Sequence, residues 1–287
     1  MDTSELLKKV RKIEIKTKGL SQQIFSGQYH SAFKGMGMAF SEVREYQYGD
    51  DVRFIDWNVT ARFHKPYVKI FEEERELTVM LLIDVSASNE FGSQHQSKRN
   101  TLTEIAATLA FSAIENNDKV GVIFFSSEVE KYIPPKKGRP HILRIIREMV
   151  NFEPVYKGTD ISKALKFFKN VHKRKCTAFL ISDFIDSNYE DALKIVSKAH
   201  DLLAICIYDP LETKLPNVGL LRLYDNESGK TMMIDTSSAY NRSTYTTYYQ
   251  SNIQQAESHL SKYGIRHTRI STQEDYVKPL ISMFNKR

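Results

Sequence analysis

The stretch Leu77-Thr78-Val79-Met80-Leu81-Leu82-Ile83-Asp84-Val85-Ser86-Ala87-Ser88 decides how the rest of the chain reads. Residues 77–83 are almost continuously apolar. That is the pattern of a strand covered on both faces, as in a parallel sheet sandwiched between helices. Downstream, Leu102, Ile105, Ala106, Leu109 and Ala113 recur at helical spacing within residues 96–115, so one face of that helix is expected to be apolar. Residues 120–125 make a second buried strand, and residues 129–133 a short third one stopped by Pro134-Pro135. Helices over 140–150 and 160–171, a strand over 177–181, a helix over 189–199 and a strand over 202–207 follow. Pro140 sits well in a first helical turn. This alternation predicts an α/β fold with a doubly wound, mostly parallel sheet.

After Pro210 the alternation is interrupted. Residues 218–224 and 230–235, joined by Asn226-Glu227-Ser228-Gly229, predict a β-hairpin insertion over about 218–235. A longer helix carries Tyr249, Ile253, Ala256, Leu260 and Tyr263, and a strand over 265–270 and a helix over 274–284 complete the six-stranded unit. Upstream the texture differs. A helix is expected over about 3–18, followed by glycines at 27, 35, 37 and 49, many aromatics, dense mixed charge and one strand at 67–71. The chain thus divides into a helix and irregular module, 1–76, and an α/β domain, 77–287.

Of 287 residues, 41% are apolar, enough for a full core, which excludes a disordered or fibrous chain. Two cysteines, Cys176 and Cys206, supply neither a disulfide framework nor a four-ligand zinc site. No apolar run approaches the roughly 18–20 residues of a membrane span. The charged start carries no signal region, so a cytoplasmic location is the expectation. The formal net charge of +6 invites a nucleic-acid reading. Residues 1–76 carry 13 Lys/Arg against 12 Asp/Glu and the remainder 28 against 23, so the bases are interspersed with acids rather than gathered in a stripe. No nucleic-acid partner is expected.

In an open parallel sheet, ligands bind beyond the carboxyl ends of the strands. Asp84, Ser86 and Ser88 follow the first strand, Thr159 precedes a helix, and Asp183 follows the 177–181 strand. Without thiolate or imidazole, this all-oxygen set suits Mg²⁺ or Mn²⁺. The hydroxyls are neutral, and carboxylates acting through waters would leave the cation short of negative charge. An Asp or Glu from a partner protein is the simplest supply. The competing reading is a helix cap with polar strand ends. A phosphohydrolase would use Asp84 and Asp183, but Ser86 stands where its second acid belongs. Neither a G-x-S-x-G elbow nor an H-E-x-x-H helix occurs.

Asp84-x-Ser86-x-Ser88, Thr159 and Asp183 resemble the metal-ion-dependent adhesion site of von Willebrand factor A domains. The resemblance implies direct ligation by Ser86, Ser88 and Thr159, with water-mediated or more distant roles for Asp84 and Asp183. Upstream, Gly35-Met36-Gly37-Met38-Ala39-Phe40, Glu42-Val43-Arg44-Glu45-Tyr46, Gly49-Asp50-Asp51-Val52-Arg53-Phe54-Ile55-Asp56-Trp57 and Ala61-Arg62 resemble the leading segment of a bacterial domain-of-unknown-function family, number fifty-eight. The family joins that segment to a von Willebrand factor A-like domain and typically accompanies MoxR-type AAA+ ATPases. What the resemblance implies is a non-enzymatic, metal-dependent protein-interaction module. Its partner would be a MoxR-type ATPase or its client, engaged through an acidic residue at the metal. Within the segment, Arg44, Arg53 and Arg62 are expected to pair with Asp50, Asp51 and Asp56, and Gly49-Asp50-Asp51 to form a turn.

Overall fold

The computed structural model describes residues 39–72, 77–91, 97–227 and 229–285. The helix expected over 3–18 lies outside the described residues. Two compact units emerge, one within residues 33–77 and the other from Thr78 onward.

The first unit is more regular than its composition suggests. Strand β1 (Ala39–Glu45) pairs antiparallel with β2 (Tyr67–Glu72), and helix α1 (Trp57–Phe63) lies between them in sequence. Charge and capping order this segment. Arg44 makes a bidentate pair with Asp50 at 2.7 and 2.8 Å, and Arg53 pairs with Asp51 at 2.7 Å. Gly49 takes φ +106° in the expected turn. Asp56 departs from expectation. It caps α1 by accepting from the Asn58 and Val59 N–H groups, and its ion-pair partner is Lys69 at 3.5 Å rather than Arg62.

The second unit is built on strands β3 (Thr78–Asp84), β4 (Lys119–Phe125), β5 (Val129–Lys136), β6 (Thr177–Ser182), β7 (Asp201–Tyr208) and β10 (Arg266–Ser271). They form one six-stranded sheet in the order β10-β7-β6-β3-β4-β5, parallel except for the antiparallel edge strand β5. Helices α2 (Lys98–Glu115), α3 (Arg139–Asn151) and α8 (Val277–Asn285) cover one face. Helices α4 (Ile161–Val171), α5 (Glu190–Ala199) and α7 (Ala239–Lys262) cover the other. Short helix α6 (Pro210–Thr213) follows β7. Strands β8 (Leu220–Tyr224) and β9 (Thr231–Asp235) form the hairpin, a separate two-stranded sheet.

Two expectations change. Helix α2 does not show one apolar face: Thr101, Thr103, Thr108 and Ser112 are buried along with its apolar residues. Thr103 and Thr108 satisfy their hydroxyls on the Arg99 and Glu104 carbonyls, each at 2.8 Å, which lets a polar residue enter the core. Strand β5 also runs through Pro134 and Pro135 to Lys136. An edge strand needs only one side of its ladder, and the prolines fall where the register shifts opposite Gly121. A Cβ on Gly121 would lie 2.9 Å from Pro135 N and 3.0 Å from Ile133 O. Gly121→Ala is therefore expected to lower stability by about 1–3 kcal/mol, the usual cost of overpacking, read as a lower urea midpoint. An unchanged midpoint would refute the close approach.

Candidate metal centre

Chain order from β3 goes to β4 on one side, whereas β6 lies on the other and leads away to β7. The crevice beyond the carboxyl ends of β3 and β6 is thus the topological switch point, where α/β sheets bind their ligands. Asp84 ends β3, and Asp183 directly follows β6.

Asp84 is fully buried, and both its oxygens are engaged. Oδ1 accepts from the Ser86 N–H at 2.9 Å and Oδ2 from the Ser182 hydroxyl at 2.6 Å. The chain then enters a 3-10 turn over Ala87–Glu90, which brings the Ser86 and Ser88 hydroxyls within 3.0 Å of each other. Asn89 donates to the Asp84 carbonyl at 3.2 Å, while its own Oδ1 is buried without a hydrogen-bond partner among the described residues. Asp183 accepts from the Ile185 N–H at 3.2 Å and from the Lys98 ammonium at 3.0 Å. Phe184, next in the chain, has φ +59°, a left-handed conformation that turns the backbone sharply after Asp183. The Thr159 loop is pinned against the 3-10 turn by the Ala87 N–H donating to the Lys157 carbonyl at 2.9 Å.

All five residues singled out from the sequence therefore converge, but through partners that sequence reading missed. Thr159 reaches the cluster through Glu227 of the β8–β9 turn, donating to its Oε1 at 2.9 Å. The Ser88 hydroxyl lies near Asp183 and Glu227 and favours their charged forms. Lys98, fully buried at the start of α2, bridges Asp183 and Glu212 at 3.0 and 2.7 Å. Two sequence signals pointed toward this pair. A lysine opens a helix, where the dipole disfavours it, and Asp209-Pro210-Leu211-Glu212 forms a capping box directly after β7. Glu227 carried no signal, since only the folded hairpin places it.

The electrostatics leave the crevice short of positive charge. Burial and the facing Asp183 carboxylate push Asp84 up to about 7. Burial would also raise Asp183, but the Lys98 ammonium, by charge and hydrogen bond, holds it below the usual range. Burial raises Glu212 and Glu227 above theirs. The Lys98 ammonium pairs with Asp183 and Glu212, whereas Asp84 and Glu227 make no ion pair with it. Among the described residues, no group of three or more His, Cys, Asp or Glu is arranged to hold a metal. A cation held here would have to rely on the hydroxyls. Three hydroxyls beside uncompensated carboxylates and the orphaned Asn89 oxygen fit a hard divalent cation. Cys176 and Cys206 are buried, and desolvation pushes both thiols up to about 12, so neither is a soft ligand or nucleophile.

Fold and site together define a doubly wound α/β domain with a mostly parallel six-stranded sheet and a hydroxyl–carboxylate cluster in its switch-point crevice. The chain belongs to the family described as Protein of unknown function DUF58, which matches residues 42–255. It is similar to the uncharacterised protein Rv1480 of Mycobacterium tuberculosis, 32% identical over 233 residues that cover 80% of this chain and 73% of that protein. Among solved structures it is similar to the conserved hypothetical protein BatB from Bacteroides thetaiotaomicron, at 15% identity and a TM-score of 0.46, covering 73% of this chain and 98% of that one. It is also similar to the SpRpn10 VWA domain, at 10% identity and a TM-score of 0.39, covering 74% and 95%. Among the described residues, no helix is long and apolar enough to cross a membrane.

Proposed function

We propose that this chain is a non-enzymatic, cytoplasmic protein-interaction module that binds its partner through Mg²⁺ or Mn²⁺ and serves as an adaptor for a MoxR-type AAA+ ATPase or its client. One observation carries the metal half. The Ser86 and Ser88 hydroxyls lie 3.0 Å apart in the crevice that holds the buried Asp84 and Asp183, and Thr159 joins them through Glu227, which supports reading the three hydroxyls as one ligand set. Family membership supports the interaction role, and the ATPase partner rests on the family resemblance alone. Ser86, Ser88 and Thr159 would hold the cation, with Asp84 and Asp183 orienting its waters. When bound, the cation would supply a Lewis-acidic position for a partner carboxylate.

The alternative, a phosphohydrolase using Asp84 and Asp183, asks Asp84 to reach a substrate. Full burial and two occupied oxygens speak against that role. Turnover of a generic aryl phosphate with Mg²⁺ would reinstate it.

Binding only to the folded state stabilises by mass action, so Mg²⁺ at about 100 times its dissociation constant should add roughly 2.7 kcal/mol, measured as a raised melting temperature. Ser88→Ala should remove most of that response. Asp84→Ala is a poorer probe, because it strands the buried Ser182 hydroxyl and Ser86 N–H. Pull-downs with Mg²⁺ and with chelator, wild type beside Ser88→Ala, test the partner half. Capture indifferent to both would overturn the metal-dependent reading.

A further inference from the structure

The β8–β9 hairpin pairs with no strand of the six-stranded sheet, and Leu220, Tyr224, Met232 and Met233 are exposed on it. A two-stranded hairpin on its own is marginally stable, so its position depends on how its ends are held. At the base, Thr236 is buried, donates to the Gly219 carbonyl at 2.6 Å and accepts from the Val218 N–H at 3.1 Å. At the tip, two side chains reach the metal-site loops. Asn226 donates to the Ala87 carbonyl at 3.3 Å, and Glu227 accepts from Thr159 at 2.9 Å. Glu227 also lies near Ser88 and the Asp183 carboxylate. A carboxylate therefore contacts one of the three hydroxyls assigned to the cation and lies near a second, in a crevice that already holds buried carboxylates.

Resting on the metal-dependent reading above, we propose that Glu227 is an in-chain ligand of the divalent cation, so that the hairpin closes the site and a partner's carboxylate must displace it to reach the metal. A hard cation takes about six oxygens. Three neutral hydroxyls, with waters held by Asp84 and Asp183, lack an anionic ligand. Glu227 supplies one from within the chain. The Thr159 contact is then the resting form of the ligand set, and together with the Asn226–Ala87 hydrogen bond it holds the hairpin tip at the site. Displacing the tip breaks polar contacts but uncovers little core, because most hairpin side chains are already exposed.

The test uses Mn²⁺ alone, titrated into the full chain and followed by electron paramagnetic resonance of the free ion and by water-proton relaxation of the bound ion. Glu227→Gln keeps an amide oxygen for the Thr159 hydroxyl but loses the charge. Losing an outer partner of a metal ligand already costs about 10–100-fold in affinity, so Glu227→Gln should bind Mn²⁺ at least about tenfold more weakly. Its bound Mn²⁺ should also relax water faster, because a water replaces the carboxylate. Glu227→Asp, which retains the charge with a shorter reach, should fall between Gln and wild type. Thr159→Val tests the underlying site and should weaken binding as well. If Glu227→Gln matches wild type in affinity and relaxation while Thr159→Val is weakened, the in-chain ligand is refuted and the metal site stands. If wild type binds no Mn²⁺ at millimolar concentration, both are refuted.

Discussion

Replacing Lys98 by methionine is expected to destabilise the protein by about 3–5 kcal/mol, the cost of removing one member of a buried ion pair. The ammonium is fully buried, 3.0 Å from Asp183 and 2.7 Å from Glu212, and methionine fills similar volume without charge. What remains is the buried Asp183 carboxylate and the partly buried Glu212 carboxylate without the cation between them. Urea unfolding in chelator should show a lower midpoint with an unchanged slope. Adding Asp183→Asn and Glu212→Gln to the variant should recover most of the loss, since the penalty belongs to the stranded charges. The effect should also depend on pH. Lys98 holds the folded-state pKa of Asp183 below its unfolded value, so this stabilisation is present above the unfolded carboxylate range and is lost as pH falls through the depressed pKa. Wild type therefore loses in acid what the variant never had, and the gap between them should narrow. A loss under about 1 kcal/mol at neutral pH would show that the bridge is not the buried cation assigned here.

The second large effect concerns the partner. On the proposed reading, Thr159→Val should weaken binding to a metal-bridged protein partner by about 2–5 kcal/mol, as truncating one side of a desolvated charged contact does. Even a loss of roughly 1.4 kcal/mol is tenfold. Valine keeps the β-branched shape, and Thr159 is only half-buried, so the cost to folding is that of one hydrogen bond to Glu227, about 0.5–1.5 kcal/mol. Chelator should bring wild type down to the variant's level and change the variant little. Binding that survives both treatments would place the partner elsewhere, with the Arg44–Asp50 and Arg53–Asp51 segment as the next surface to test.

The order of strands and helices from Thr78 onward was legible because each core segment carries its own pattern. Residues 79–84 are buried throughout in β3, and Tyr249, Ile253, Ala256 and Leu260 form the buried stripe of α7. Local pattern misled in two places. The prolines of β5 sit in an edge-strand bulge opposite Gly121, and the threonines of α2 satisfy their hydroxyls within the helix, so neither behaved as composition suggests. The 39–72 segment has weak periodicity because charge pairs and caps order it, not a wide apolar face.

Asp84, Ser86, Ser88, Thr159 and Asp183 could be found from the sequence because strand ends in a parallel sheet share one edge, so position along the chain implies position in the crevice. Lys98 and Glu212 each left only a helix-start signal that says nothing of their meeting, and Glu227 left none. They come from the start of a helix, a short turn after β7 and the tip of a hairpin, and their meeting depends on how those elements fold back over the sheet. Residue type and spacing, acting through short-range sterics and burial, determined the sheet, its helices and the hydroxyl donors. Tertiary packing alone decided which charges surround those donors, because electrostatic contacts form between side chains that lie far apart in sequence.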